Sequence, residues 1–547
     1  MSLPKKLMAG LAAVIALVSL TAATVAPAND KFFEIMKAIE VYTNVYKEVN
    51  QYYVDDIEPN KLMRTGIEAM VKSLDPYTNY ISETDVELAR LNQAGKYQGI
   101  GADIEYIDGQ PTILTLFKDQ PADQAGIKTG DRLLTVDGRD TDGYNREQLE
   151  EIMRGFPGTT MELTVDRPGV GQKNLELIRG DVTIPNVPYS GMLADNVGYV
   201  ALTTFTREAG KNVRDAVSAL RAENPNLAGV VIDLRGNGGG LLNEAVDIVN
   251  IFVPKDELIV TTKGKVREWD RTYKTKGNPL DLELPVAVLI NDRSASASEI
   301  VSGALQDLDR GVLIGQRSYG KGLVQNIMET GYGSRVKITT AKYYIPSLRC
   351  IQAIEYVDGK PVDIPDAQRA VFKTRAGREV LDGGGVAPDI KLPVLGGKAI
   401  TQGLLDNHVI FNFVNEWVTK HETIDSVANF RFQEWAAFET FLQRGDFEYD
   451  SKAEKALERA MAEAEIEGYE ITSQLNAIQE QVDREQLAAI QQYKAEIINI
   501  IEKEIAGRYY YQRGQVQMGL RNDREVQEAI AVLNDSQRYA ALLRPSN

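Results

Sequence analysis

Histidine and cysteine are almost absent from this 547-residue chain, which holds His408, His421 and Cys350 and no others of either type. A single cysteine cannot close an intramolecular disulfide, so an oxidising compartment is neither required nor excluded. With so few thiols and imidazoles a Cys/His metal cage lacks ligands, and no metal or cofactor is expected. Basic charge is also in deficit: 61 Lys and Arg stand against 78 Asp and Glu, a formal net charge of −17. Nucleic-acid binding releases counterions from phosphates through a basic face, so this balance argues against such a partner and against adherence to anionic membrane surfaces. Beyond residue 28 no stretch is apolar enough to span a bilayer.

What is present is enough apolar sequence, 43% of residues, for well-formed cores, and length for about three or four domains of ordinary size. Residues 1–28 carry Lys5 and Lys6, an apolar segment from Leu7 to Leu20, and small residues through Ala28. This is the pattern of an export signal, or of an uncleaved anchor reaching Val25; a buried N-terminal helix is the plainer alternative. Export would place the rest of the chain in the periplasm or cell envelope. From Lys31 to Val54 the residues Phe33, Met36, Ile39, Tyr46, Val49 and Tyr53 recur at helical spacing, and a second helix is expected between Pro59 and Leu74.

Residues 97–179 read as a small domain with a peptide-binding groove. In YQGIGADIEY a glycine-rich loop runs into an alternating strand, where backbone N–H groups of Gly99, Ile100 and Gly101 are placed to receive a carboxylate. The segment AGIKTGDRLLTVDG, a helix from Asn145 to Arg154 and the strand MELTVDR follow. Next come the strand NVGYVALTTF, a helix from Ala209 to Glu223, and a buried strand from Gly229 to Leu234 that ends in the glycine-rich turn RGNGGG. Such a turn exposes N–H groups to a developing oxyanion, although most glycine-rich turns are only turns.

The segment from Leu284 to Gln325 organises the rest. A β-branched run, Val286 to Ile290, predicts a buried strand; a helix with Glu299 in its first turn and Ile300, Leu305 and Leu308 at helical spacing follows the small residues Ser294 to Ser298. A second strand, Gly311 to Gly315, leads to the glycine-flanked Lys321. A serine at a strand-to-helix turn is a common place for a nucleophile, because free N–H groups and the helix dipole stabilise an oxyanion there. Both histidines lie in a remote helical region, which argues against a Ser-His-Asp triad. A lysine serves as base if burial keeps it neutral; bringing its pKa from ~10.4 to about 7 costs roughly 4–5 kcal/mol, so the site must be rigid and mostly dry. Gly320 and Gly322 permit a tight bend around Lys321, and an extended KGLVQ would put Lys321, Leu323 and Gln325 on one face, with the Gln325 amide toward the amine. The bland alternatives are capping or packing serines, and a phosphate-binding loop in GQRSYGKG; the latter needs Ser or Thr after the lysine, where Gly322 stands.

SASASEI followed by SYGKGLVQ resembles the active-site signature of the carboxyl-terminal processing peptidases, or tail-specific proteases, serine endopeptidases with a Ser-Lys dyad. The resemblance maps the nucleophile onto Ser296, the general base onto Lys321, 25 residues further on, and the supporting glutamine onto Gln325. DLRGNGGG resembles a second family element and implies an oxyanion site made by Gly239 or Gly240 with the N–H of Ala297. Residues 97–179 are similar to the PDZ domain of this family, and Arg154 matches an arginine that couples that domain to the active site; a surface salt bridge is its plain alternative. One departure is SLRCIQ, where the family commonly has SGRSIQ, which leaves the dyad positions intact.

The expected fold is a multidomain α/β protein: a signal or anchor at 1–28, an N-terminal helical segment at 29–90, an inserted PDZ domain at 97–179, a crotonase-like catalytic core at 180–395, and a C-terminal α-helical region at 396–547, where the resemblance fades. The resemblance implies an exported serine endopeptidase acting on protein substrates with exposed C-terminal tails, through an acyl-enzyme. It gives the N-terminal helices a homodimer contact as one reading and packing on their own core as the other. The charged C-terminal helices are a solvated face, a dimerisation arm, or a dock for a partner such as an adaptor protein. The rival from another class is a non-catalytic PDZ scaffold that gathers envelope proteins.

Overall fold

The computed structural model describes residues 26–83, 96–153, 155–357, 360–393, 399–444 and 452–545. The chain divides into two units, one built from the N-terminal helices and one holding nearly everything after residue 80. In the first, α1 (Ala26–Tyr52) and α2 (Pro59–Lys72) form a hairpin, with Pro at the first turn of α2 where its missing N–H costs nothing. Tyr46 Oη donates to the Pro59 carbonyl at 2.8 Å. Phe33, Met36 and Ile39 stay about half exposed or more, so they are not buried in a core of the hairpin's own. The apolar segment from Leu7 to Leu20 lies outside the described residues. Among those described, no helix is long and apolar enough to cross a membrane.

In the second unit an antiparallel sheet forms from β1 (Ala102–Ile107), β2 (Gln110–Leu116), β3 (Arg132–Val136), β4 (Thr160–Arg167) and β5 (Gly171–Ile178) in that order, with α3 (Pro121–Gln124) and α4 (Arg146–Met153) packed on it. Inward residues such as Ile113, Leu133, Met161, Leu163 and Val165 are fully buried, as alternation along half-buried strands requires. Asp131 and Arg167 tie this core with a pair of 2.8 Å hydrogen bonds.

A second sheet follows the order β6 (Tyr189–Met192), β7 (Val197–Ala201), β8 (Gly229–Asp233), β11 (Val286–Ile290), β12 (Val312–Gly315) and β15 (Ile390–Lys391). All pairs are parallel except β6 with β7. Parallel strands need crossovers that cover the sheet. Here α5 (Ala209–Glu223), α6 (Leu242–Val249) and α7 (Ala297–Asp307) pack on Val230, Ile232, Val286, Val288 and Leu313. Beside this sheet, β9 (Leu258–Gly264) lies between β10 (Arg271–Lys274) and β14 (Ser334–Tyr344), and β14 pairs in turn with β13 (Leu323–Gly331).

The opposite face of the parallel sheet presents Tyr199, Ala201, Val231, Ala287, Leu289 and Ile314, and the C-terminal helices cover it. The C-terminal helices are α8 (Ala399–Asp406), α9 (Val409–Val418), α10 (Trp435–Leu442), α11 (Lys452–Glu467), α12 (Thr472–Gln492), α13 (Lys494–Gly519), α14 (Arg524–Asn534) and α15 (Ser536–Leu542); α13, α14 and α15 supply the side chains on this face, while α8, α9, α10, α12 and α13 build an apolar core of their own. From α14, Val526, Ala529, Val532 and Leu533 complete the core, each large aliphatic side chain contributing ~1.5–3 kcal/mol when fully buried. The C-terminal region expected as a solvated or partner-binding appendage is thus in part a structural layer of the core. Arg235, just after β8, pairs with Asp523 at 2.7 Å and with Glu525 at the start of α14. The helical region also holds the PDZ-like sheet. Tyr511, whose φ of +55° interrupts α13, packs on that core and donates to Asp123 Oδ1 at 2.6 Å.

Candidate active site

The strand β11 ends at Ile290 and α7 begins at Ala297, so residues 291–296 form a strand-to-helix turn at the carboxyl end of the parallel sheet. Ser296 caps the helix with φ +57° and ψ −111°, a region that side chains rarely occupy and that costs ~1–3 kcal/mol to hold. A sharp turn of this kind pushes a side chain off the helix end into open space.

The three serines of SASAS separate cleanly. Ser294 is fully buried and its hydroxyl donates to the Leu234 carbonyl at 2.8 Å; Ser298, also fully buried, donates to the Asn237 carbonyl at 2.9 Å. Both therefore bolt the turn to the glycine-rich segment after β8. Ser296 is partly exposed at the N-cap of the helix, and among the described residues its hydroxyl donates to no carbonyl of the glycine-rich segment.

Opposite lies the turn RGNGGG. Gly239 has φ +99°, and a Cβ there would stand 2.9 Å from Ser296 Cβ and 3.0 Å from the Ala297 nitrogen, so only glycine lets the two turns touch. The Gly239 N–H donates to Asn237 Oδ1 at 2.9 Å and is occupied. Among the described residues, the N–H groups of Ala297 and Gly240 make no hydrogen bond.

Glu299 joins the serine turn to the lysine loop. Its carboxylate is wholly buried and accepts four hydrogen bonds: Ser318 Oγ and the Gly320 N–H reach Oε1, each at 2.6 Å, and the N–H groups of Ser296 and Lys321 reach Oε2 at 2.7 and 2.8 Å. Two peptides that donate to one oxygen are necessarily neighbours, so the backbones of Ser296 and Lys321 are brought together. Burial pushes the carboxyl up to about 7, opposed by the hydrogen bonds from Ser318, Lys321, Ser296 and Gly320. Sequence reading placed Glu299 only in the first helical turn. The available signal was the Ser-x-x-Glu spacing of a capping box, whose glutamate half is present here.

Lys321 is half-buried and stands just before β13. The strict alternation assumed for KGLVQ is interrupted, because the register with β14 shifts between Val324 and Gln325, and the Gln325 amide donates to Thr339 Oγ1 at 3.2 Å. In the PDZ-like sheet the Ile100 carbonyl accepts from Ala122 N–H at 2.7 Å and the Gly101 carbonyl from Phe117 N–H at 3.0 Å. Gly101 has φ +79°, and the N–H groups of Ile100 and Gly101 make no hydrogen bond among the described residues. Gly99 pairs with Gly180 across the strand entering this loop. Arg154 lies outside the described residues.

Residues 196–364 match the model of "Peptidase family S41", residues 112–167 that of a "PDZ domain", and residues 400–533 that of "Probable PDZ-protease, C-terminal helical domain". The chain is 34% identical over 321 residues to the carboxy-terminal-processing protease of Bartonella bacilliformis, covering 58% of this chain and 73% of that protein. It is 33% identical over 318 residues to the carboxy-terminal processing protease CtpA of Bacillus subtilis, covering 58% of this chain and 65% of that one. A solved photosystem II D1 C-terminal processing protease is 27% identical, with 64% of this chain and 92% of that chain covered and a TM-score of 0.35. The chain belongs to peptidase family S41, among the carboxy-terminal processing proteases, serine-type peptidases, and it carries a PDZ domain and a C-terminal helical domain.

Proposed function

We propose that this protein is an exported endopeptidase that captures exposed C-terminal tails with its PDZ domain and cleaves them through a Ser296–Lys321 dyad. The observation that carries the reading is the division of labour among the three serines: the Ser294 and Ser298 hydroxyls are bonded into the glycine-rich segment, while Ser296 stands partly exposed on strained backbone at the helix start. In this reading Lys321, reaching the reaction neutral, takes the proton from Ser296 Oγ, and the oxygen attacks the scissile carbonyl. The tetrahedral oxyanion is held by the N–H of Ala297 and that of the Gly239–Gly240 peptide, which make no other hydrogen bond among the described residues. Lysine returns the proton to the leaving amine, an acyl-enzyme forms, and water hydrolyses it. Gln325 supports the lysine loop from β13.

The N–H groups of Ile100 and Gly101, together with that of Gly99, receive the tail carboxylate in the same reading, and Arg154 couples that event to the core. Export rests on the pattern of residues 1–28, with periplasmic or envelope placement and either a cleaved signal or a retained anchor. A homodimer through the exposed apolar face of α1 and delivery of substrates by an adaptor complete it. The PDZ scaffold remains the second reading, and digestion separates the two. An unfolded protein such as β-casein should be cut by the purified protein and left intact by Ser296→Ala; equal digestion by both would remove Ser296 from the chemistry.

A further inference from the structure

Glu299 grips the serine turn and the lysine loop only through the N–H groups of Ser296 and Lys321. The carbonyls of the same two residues converge on a second group. There the hydroxyl of Tyr343 lies 3.2 Å from the Ser296 carbonyl oxygen and makes a short contact with the carbonyl oxygen of Lys321. Tyr343 belongs to β14, is 1% exposed, and packs in the same apolar cluster as Ile300, Val301 and Ile345. Its own N–H donates to the Gly322 carbonyl at 3.0 Å, so backbone and side chain of one residue both grip the lysine loop.

We propose that Tyr343 is a positioning residue for the dyad: its hydroxyl pins the carbonyls of Ser296 and Lys321 and keeps nucleophile and base in register. The inference rests on the Ser296–Lys321 reading above. A phenol has one proton to donate, so the two carbonyls share it, and the closer contact assigns it mainly to Lys321. The Ser296 carbonyl also accepts from the N–H groups of Glu299 and Ile300 at 2.9 and 3.0 Å, so the phenol adds a third contact at the one residue of this turn whose φ and ψ the backbone would not choose by itself. Strained backbone persists only where its surroundings over-determine it, and the Glu299 carboxylate, the Tyr343 hydroxyl and the first helical turn together do so at Ser296. Misplacing reacting groups by a fraction of an ångström slows chemistry without weakening substrate capture, because tail binding occurs elsewhere in the protein.

Tyr343→Phe removes one oxygen atom and keeps the ring in the core. The test measures kcat and KM on a tailed, unfolded substrate, the rate at which a small organophosphonate labels Ser296, and thermal unfolding, for wild type, Tyr343→Phe and Ser296→Ala. The expected result is a fall of about 10- to 100-fold in kcat and in labelling rate, KM within about 2-fold, and no loss of folded protein at the assay temperature. Tyr343→Met, which fills the space without a hydroxyl, should repeat the split if the phenylalanine variant folds poorly. Wild-type kcat and labelling in a folded Tyr343→Phe, or a rise in KM with kcat unchanged, would overturn the proposal while leaving the dyad standing. Activity that persists in Ser296→Ala would instead defeat the dyad reading on which it rests.

Discussion

Glu299→Gln isolates the device that brings the two halves of the site together, and its effects on stability and on activity should separate. The substitution keeps shape but turns one oxygen into an NH2 group facing two donors, so two of the four hydrogen bonds are lost. Bonds to a charged acceptor are worth ~1.5–3 kcal/mol each, a loss of about 3–6 kcal/mol. Against this, the variant no longer buries a charge. With the folded carboxyl near 7 against its ordinary 4.5, keeping that charge inside costs about 3 kcal/mol above neutral pH. The net change in stability at pH 8 is therefore small, ~0–3 kcal/mol. The sign of the pH dependence follows from the raised value: between pH 4.5 and 7 the folded protein binds a proton that the unfolded chain releases. Stability from this group is thus greatest below pH 4.5 and falls by about 3 kcal/mol as pH rises to 7. The variant lacks that slope. Urea unfolding at pH 5 and pH 8 should show wild type losing this increment and Glu299→Gln not losing it. In the same preparations kcat at pH 8 should drop by about 100-fold, because the peptides of Ser296 and Lys321 no longer share an acceptor. Protonation of wild-type Glu299 also breaks the four-bond set, so kcat should decline as pH falls through about 7. A folded Glu299→Gln with wild-type kcat at pH 8, or with the same stability slope as wild type, would refute the reasoning.

Two further outcomes follow from the backbone. Leu348 sits at φ +70° with its side chain 53% exposed, so it bears the left-handed penalty without burying much surface. Leu348→Gly should raise stability by about 0.5–1 kcal/mol, the relief of ~1–2 kcal/mol less the entropy that glycine gains in the unfolded chain, read as a shift in urea midpoint. A Cβ at Gly101 would stand 2.3 Å from Gln120 Cβ, so Gly101→Ala must displace the loop. It should weaken binding of a fluorescent peptide with a free C-terminus at least about tenfold, ~1.4 kcal/mol, and leave the already weak binding of the amidated peptide unchanged.

The sequence made the strand from Val286 to Ile290, the turn and the helix after it legible because apolar periodicity and small residues are local signals. Local pattern alone could not choose among Ser294, Ser296 and Ser298, and only the motif resemblance pointed to Ser296, since what separates them physically is hydrogen bonding to carbonyls about 60 residues away. The grips of Glu299 and Tyr343 were hidden for the same reason. The helical content of the C-terminal region was equally plain, but an amphipathic pattern does not say which surface its apolar face meets. The pairing of Arg235 with Glu525 across 290 residues, and the burial of Val526 and Leu533 on the central sheet, exist only in the folded chain. Within that region α12 gives way to α13 at Tyr493, where no glycine or proline marks the break. Gln325 shows the limit of alternation: one shift of register beside Val324 is enough to interrupt a face that the sequence would have continued.

The dyad itself is tested most directly by mass spectrometry of the protein after incubation with a fluorophosphonate, which reacts with an activated serine and needs no tail. The account predicts a single adduct on the peptide containing Ser296, absent in Ser296→Ala and formed at least about 100-fold more slowly in folded Lys321→Ala. Labelling of Ser296 at an unchanged rate without the lysine, or an adduct on another serine, would contradict it.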